Sequence, residues 1–366
     1  MMMNKGLLHL DFKWNGTSFA SETELIQFID DQYPELKHFI REWFGDRGVV
    51  YAMTSGSTGE PKKISIDRQH MINSAKATGR YFDLGAGSSA LLCLPLAYIA
   101  GRMMLVRAMV LGWHLDSITP NAAPEIPLHA SYDFSAMVPM QLFNSWDQLN
   151  PIKTLIVGGG EVADSLKEKV QDLSTKIYAT YGMTETITHV ALMPLNKAAG
   201  YLADQNVFTA LPGIHFSVDQ RQCLRINAPM ISFKEVATHD IVELISSKSF
   251  KWVARVDYVI NSGGVKLIPE LIERKFNTLI GQRFFMDSLP DKVLGEKLVM
   301  IVEDHKTDDL LEKLQAFQKQ HAAEISRYEV PKEVFFTEEF IQTETGKINR
   351  NLTMNLIFSL GQQELP

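Results

Sequence analysis

Cysteine is almost missing from this chain: Cys93 and Cys223 are the only two in 366 residues. Both lie in apolar runs and neither has metal-ligand spacing, which excludes a disulfide scaffold or a thiolate metal centre and leaves two reduced core thiols. Positive charge is also short. The 36 Lys and Arg stand against 43 Asp and Glu, a formal net charge of -7, which argues against a general nucleic-acid binder, since that needs a basic face. Long hydrophobic runs are lacking too. The most apolar region, residues 90–113, is broken by Pro95, Gly101, Arg102 and Arg107, and central arginines argue against a membrane span. The first eleven residues have no long apolar stretch of the kind a secretory signal needs. No internal repeat or low-complexity segment is found. What remains is an ordinary globular composition, 45% hydrophobic and 22% charged, with a length that favours two or more domains. A soluble, cytoplasmic protein is expected.

Apolar runs at 49–53, 90–94, 135–138, 154–157 and 176–179 read as strands, with helical patterns at 67–81 and 101–111 and further helices between the later strands. That alternation predicts an α/β fold with a mostly parallel sheet covered on both faces. Residues 1–47 are a weakly marked leader with two short amphipathic helices, 22–31 and 34–44, before the first core strand. From about residue 213 the strands shorten and alternate (214–218, 223–226, 241–245), as in a small antiparallel subdomain. After Asp257 a compact α+β unit is expected, with helices at 270–277 and 308–325 and strands at 298–302 and 333–336.

The stretch Thr54-Ser55-Gly56-Ser57-Thr58-Gly59-Glu60-Pro61-Lys62-Lys63 follows the first strand. Small hydroxyl residues and two glycines let backbone N–H groups crowd an anion, and Lys62 adds a cation. This is the chemistry of a phosphate loop. It is not GxxxxGK[ST], because Pro61 stands where the second glycine belongs.

The same stretch resembles the TSGSTGxPK signature of the adenylate-forming (ANL) superfamily of acyl-CoA synthetases, adenylation domains and luciferases. Further motifs follow in the order of that family. Tyr181-Gly182-Met183-Thr184-Glu185 matches YGxTE, Thr238-His239-Asp240 stands at TGD, and Arg255-Val256-Asp257 matches the core of GRxD. Ser262-Gly263-Gly264 through Pro269 to Glu273 matches SGGxxxxPxxIE, and Gly346-Lys347-Ile348-Asn349-Arg350 matches the closing GKIxR. Any one of these would be weak; six in order, covering residues 48–352, are not coincidence. The resemblance implies a large N-terminal domain over 1–255, shorter at its start than in relatives, and a small mobile C-terminal domain over 256–366 hinged at Asp257. It also implies ATP, Mg²⁺ and CoA as the molecules handled.

Read residue by residue, Tyr181 ends a strand at a glycine, so its ring can lie against an adenine; without its neighbours it would be a core tyrosine. Thr184 can donate to the α-phosphate, and Glu185 is a hard oxygen ligand suited to Mg²⁺; alone it is a solvated glutamate. Asp240 can accept both ribose hydroxyls, with Arg255 beside it in the nucleotide site. The turn Gly158-Gly159-Gly160 permits close approach to the base. A lysine near a C-terminus is usually a solvated charge, but Lys347, between Gly346 and Arg350, is implied to stabilise charge as a carboxylate attacks the α-phosphate. Gly263 and Gly264 suit the wall of a thiol channel.

For the acid, the segment Leu94-Pro95-Leu96-Ala97-Tyr98-Ile99-Ala100-Gly101 and residues after YGxTE are implied to line the pocket. LPLxxxxG followed by Arg107 resembles the o-succinylbenzoate–CoA ligases of menaquinone synthesis. A dicarboxylate needs a cation for its second carboxylate, which Arg107, or less favourably Arg102, supplies; otherwise both arginines reach the surface or pair with acids. Three features depart from the pattern. Ala97-Tyr98 replaces Phe-His, with Thr188 and His189 as partial polar substitutes; His239 and Ala254 replace glycines; and only about fifty residues precede the phosphate loop. The last suggests a homodimer covering exposed core. Other aryl- or acyl-CoA ligases, a carrier-protein adenylation enzyme and a catalytically degenerate nucleotide binder stay open.

Overall fold

The protein is seen in a computed structural model that describes residues 6–53, 63–202, 206–277, 279–305, 309–342 and 348–361. Two compact units divide the chain. The first holds Met1–Ser217, Arg225–Ala237 and Leu244–Lys251; the second holds Val218–Leu224, Thr238–Glu243 and Trp252–Pro366.

In order along the chain come β1 (Lys13–Trp14), β2 (Thr17–Ser18), α1 (Glu22–Gln32), α2 (Lys37–Phe44), β3 (Val49–Met53) and β4 (Lys63–Asp67). Then α3 (Arg68–Phe82), β5 (Ser89–Leu92), α4 (Ile99–Leu111), β6 (His114–Ser117), β7 (Tyr132–Met137), α5 (Pro139–Ser145), β8 (Ile152–Val157), α6 (Asp164–Lys169) and β9 (Lys176–Gly182) alternate. Further strands follow: β10 (His189–Pro194), β11 (Phe208–Ala210), β12 (His215–Val218), β13 (Cys223–Asn227), β14 (Val236–Ser246) and β15 (Ser249–Arg255), with β10–β11 and β11–β15 paired antiparallel.

Strands of the first unit lie in the order β11-β10-β9-β8-β7-β5-β6-β1-β2. The ladder is parallel from β6 to β9 and turns antiparallel at β10. Register explains the continuous apolar strands. Leu91, Ser135, Leu155 and Ile177 share one row, and that face packs with Leu142 of α5 and Leu166 of α6. The neighbouring residues point the other way, where Phe82 of α3 meets Phe134 at 5.5 Å and Tyr178 at 5.4 Å between ring centroids. Both faces are therefore covered, as the parallel reading requires. Cys93 and Cys223 are free and buried, and burial pushes the Cys93 thiol up to about 12. No helix among the described residues is long and apolar enough to cross a membrane.

Two expectations change. The strand over 49–53 is not in the central sheet; β3 pairs with β4 in a separate two-stranded antiparallel sheet. The reason is visible in β4, whose Lys63, Ser65 and Asp67 give it only one apolar face. The leader is more than a weak preface. Trp14, Leu25, Ile29, Phe39, Ile40 and Trp43 are fully buried, Trp14 stacks on Tyr33 at 4.3 Å, and β1 adds to β6 as a parallel strand.

The second unit comprises β16 (Ile260–Ser262), β17 (Val265–Leu267), α7 (Pro269–Phe276), β18 (Phe284–Asp291), β19 (Gly295–Glu303), α8 (Leu310–Gln320), β20 (Glu333–Thr337) and α9 (Arg350–Gly361). Its sheet runs β17-β16-β19-β18, with β20 parallel to β19. Ile272, Phe276, Met286, Met300, Val302 and Leu314 make its core. Between β16 and β17, Gly263 and Gly264 have φ of +57° and +82°, the pair of positive values that a two-residue hairpin turn demands. Strand β18 and helix α9 escape the pattern reading, β18 because Asp287, Ser288 and Pro290 break its apolar alternation.

Candidate functional site

Parallel strands deliver their C-terminal ends to one edge, where α/β sheets bind ligands. After β5 comes Tyr98, the half-buried N-cap residue of α4, followed by buried Gly101, at which a Cβ would stand 2.3 Å from the Pro95 carbonyl oxygen. After β8 comes the Gly158–Gly160 turn, with Gly159 at φ +90°, while Gly160 has room for a side chain in ordinary contact with Pro139. The end of β9 carries Tyr181 and Gly182, then a short 3₁₀ turn, Thr184–Thr186, in which Glu185 is exposed and Thr184 half-buried. The Tyr181 ring is held edge-on by Phe250 at 5.0 Å and tilted against Phe208 at 5.8 Å.

The expected residues Arg107, Thr188 and His189 meet, together with Thr78, in one largely buried network. Arg107 is 2% exposed. Its Nε donates to Thr78 Oγ1 at 3.2 Å and its Nη2 to Thr188 Oγ1 at 2.9 Å. Thr188 Oγ1 is 3.0 Å from His189 Nδ1, and the buried His189 Nε2 has no hydrogen-bond partner. No carboxylate pairs with Arg107 among the described residues. Burial alone pulls its guanidinium down to about 10, the mark of a desolvated cation without a counter-ion. Arg102 differs: it donates to the Leu96 and Tyr51 carbonyls at 3.1 and 3.0 Å, so it anchors α4 and is spent on structure.

The backbone that presents Thr188 is strained. Ile187 has φ +67° and ψ -52°, and Thr188 N donates to the Thr186 carbonyl at 2.7 Å, closing a γ-turn around a β-branched residue. Such a conformation costs about 1–3 kcal/mol and persists where its surroundings impose it. Here they do: Thr186 Oγ1 accepts from Met183 N at 2.9 Å, and a Cβ on Gly182 would lie 2.3 Å from the Thr188 carbonyl oxygen. The glycine of YGxTE thus makes room for this turn.

Burial, reinforced by the Arg107 charge, pushes the His189 imidazole from 6.5 down to about 3. The unfolded chain takes up this proton below about 6.5 and the folded chain does not, so stability should fall as pH drops from there toward 3. Replacing His189 by glutamine is expected to flatten that part of a melting-temperature profile; an unchanged profile would show that another group causes it.

In the second unit Asp240, Arg255 and Asp257 come together. Arg255 Nη2 bonds Asp257 Oδ2 at 2.8 Å, and Nη1 lies 3.7 Å from Asp240 Oδ1, which also accepts from Trp252 Nε1 at 3.3 Å. His239 Nδ1 is 2.7 Å from Asp257 Oδ1. Farther along, Arg350 pairs with Glu273 at 3.0 Å and donates to the Met286 carbonyl at 2.9 Å, tying the start of α9 to α7. The expected residues Thr54, Ser55, Gly56, Ser57, Thr58, Gly59, Lys62 and Lys347 lie outside the described residues. Thr78, Trp252 and the Ile187 turn were not legible in the sequence, because nothing local marks a threonine as the partner of an arginine 29 positions away.

The AMP-binding enzyme family profile matches residues 30–207. An acyl-CoA synthetase (AMP-forming)/AMP-acid ligase II-like protein from Dyadobacter fermentans is 38% identical, over 89% of this chain and 95% of that one, with a TM-score of 0.57. The 2-succinylbenzoate–CoA ligase of Escherichia coli is 27% identical over 76% of this chain, which spans 64% of that relative's length. The o-succinylbenzoate coenzyme A synthetase of Bacillus subtilis, in complex with ATP and magnesium ion, is 17% identical with a TM-score of 0.70, over 83% of this chain and 69% of that one. That last likeness is one of fold.

Proposed function

The chain belongs to the AMP-binding, adenylate-forming enzyme family, and from that premise we propose that it joins a carboxylic acid to CoA in two steps driven by ATP. In the first, a carboxylate oxygen attacks the α-phosphorus; the bond to the bridging oxygen breaks, pyrophosphate leaves and an acyl adenylate forms. In the second, the CoA sulfur, having given up its proton, attacks the acyl carbon and AMP leaves. Thr54–Lys62 grip the outgoing phosphates, Thr184 meets the α-phosphate, and Tyr181 with Gly159 and Gly160 borders the base. Asp240 and Arg255 take the ribose, and Lys347 stabilises the charge of the first step. The domain boundary falls at 255/256, Asp257 is the hinge between steps, and Gly263 and Gly264 then border the thiol channel.

The acid we assign is 2-succinylbenzoate. One observation carries this: a buried arginine without a carboxylate, beside a neutral buried imidazole with a free nitrogen. Isolated buried charge is costly. A second carboxylate on the acid would supply the missing counter-ion, with Tyr98 and Gly101 forming the neighbouring wall. The similarity to 2-succinylbenzoate–CoA ligases supports the same choice. For the metal, the residues fit an ion that the nucleotide brings. Glu185 is one exposed hard ligand, and among the described residues no three His, Cys, Asp or Glu gather into a cage; Mg²⁺ bound chiefly by phosphates needs no more.

Pyrophosphate release over a panel of acids tests the assignment. Activation of 2-succinylbenzoate above benzoate and fatty acids is expected; the reverse order overturns the acid, and ATP binding without any acyl adenylate overturns the enzyme. A homodimer is also proposed, with β6 paired to β1 of the same chain and so not available to the second copy; a monomeric mass by light scattering at micromolar concentration overturns it.

A further inference from the structure

At position 239 the resembled TGD motif has glycine, and this chain has a histidine that reaches the hinge. The two oxygens of Asp257 are bracketed from different strands: Oδ1 by His239 Nδ1 at 2.7 Å from β14, and Oδ2 by Arg255 Nη2 at 2.8 Å from β15. Arg255 stands only two residues before Asp257, so its bond travels with the local backbone. The bond from His239 spans 18 residues of chain and ties the turn Val256–Tyr258 to a separate strand. Around this bracket the polar groups are under-bonded. Arg255 Nε and Glu270 Oε2 are both buried without a hydrogen-bond partner, although Glu270 Oε1 accepts from Arg255 N at 3.4 Å. Buried orphans of this kind ask for a second arrangement that satisfies them.

We propose that His239 is a positioning residue: its imidazole holds the hinge carboxylate of Asp257 during acyl-adenylate formation and must release it before the thiol step. This rests on the ligase reading above. Without the imidazole, Asp257 keeps the bond from Arg255 on its own stretch of chain but loses its tie to β14. Burial raises the Asp257 carboxyl, but the bonds and charges of Arg255 and His239 outweigh it and hold it below its ordinary value, so it is an anion that both can hold.

The test separates the half-reactions at one fixed pH, using 2-succinylbenzoate or the acid that the panel activates best. Pyrophosphate release without CoA reports adenylation; full ligation with CoA reports both steps. His239→Gly should raise the ratio of ligation to adenylation by about two- to fivefold, as expected for the loss of a half-exposed ion pair, and His239→Gln, which keeps a donor toward Asp257, should raise it less. An active wild type whose ratio His239→Gly leaves unchanged overturns the positioning role alone. A wild type that forms no acyl adenylate overturns the ligase reading and the positioning role with it.

Discussion

Lys347→Ala should lower acyl-adenylate formation by about 10²- to 10³-fold, the usual effect of removing one preorganised charge from a developing transition state. The physical reason lies in the chemistry of the first step. Pyrophosphate leaves with added negative charge, and the protein contributes position and charge more than covalent work. On the proposed mechanism a single ammonium serving those oxygens would therefore carry a large share of the barrier. The second step breaks a bond to an adenylate already formed and asks nothing of this lysine, so thioester formation from preformed acyl adenylate should be nearly unchanged. Equal loss in both half-reactions would contradict the two-conformation reading. Arg350, three residues after Lys347, anchors α9 to Glu273 and Met286 without using the lysine, so the second unit should stay folded in the variant, and a melting curve checks it.

Arg107→Leu should raise KM for 2-succinylbenzoate by about 10²-fold or more while leaving KM for ATP in place. Truncating one partner of a buried charge pair costs about 2–5 kcal/mol, and in the binding mode proposed above the substrate carboxylate would be that partner. In the free protein the same substitution removes an uncompensated buried cation, so the melting temperature should stay level or rise. The combination of weaker acid binding with undiminished stability distinguishes a binding residue from a core constituent. Loss of stability with an unchanged KM would assign Arg107 to the core and remove the ground for a dicarboxylate.

Much of the fold was legible because its signals are short-range. Apolar runs on both faces announce parallel strands, and the helical pattern over 67–81 is α3, which begins one residue later because Asp67 caps it by accepting from Gln69 N at 2.7 Å. The leader was harder to read. Its burial depends on aromatic contacts such as Trp14 with Tyr33 and on the pairing of β1 with a strand about a hundred residues later. The γ-turn at Ile187 was hidden for a different reason: isoleucine is the wrong residue for positive φ by local preference, so only the packing around it could impose that conformation.

By itself the sequence determined the family and its chemistry, since six motifs of a few residues each carry backbone freedom, charge and hydroxyl groups in an order that chance does not produce. It also announced that Arg107 lacked an obvious place in an apolar helix. The tertiary structure alone decided what that arginine touches, because Thr78 and Thr188 stand 29 and 81 positions away and reach it only through the packing of α3 beside α4 and through the strained turn after β9. The same holds for His239. A substitution that reads as a lost glycine becomes a bond to Asp257 only when β14 is laid beside the turn that carries it, and the distance between two side chains is a property of the fold, not of the spacing between their letters.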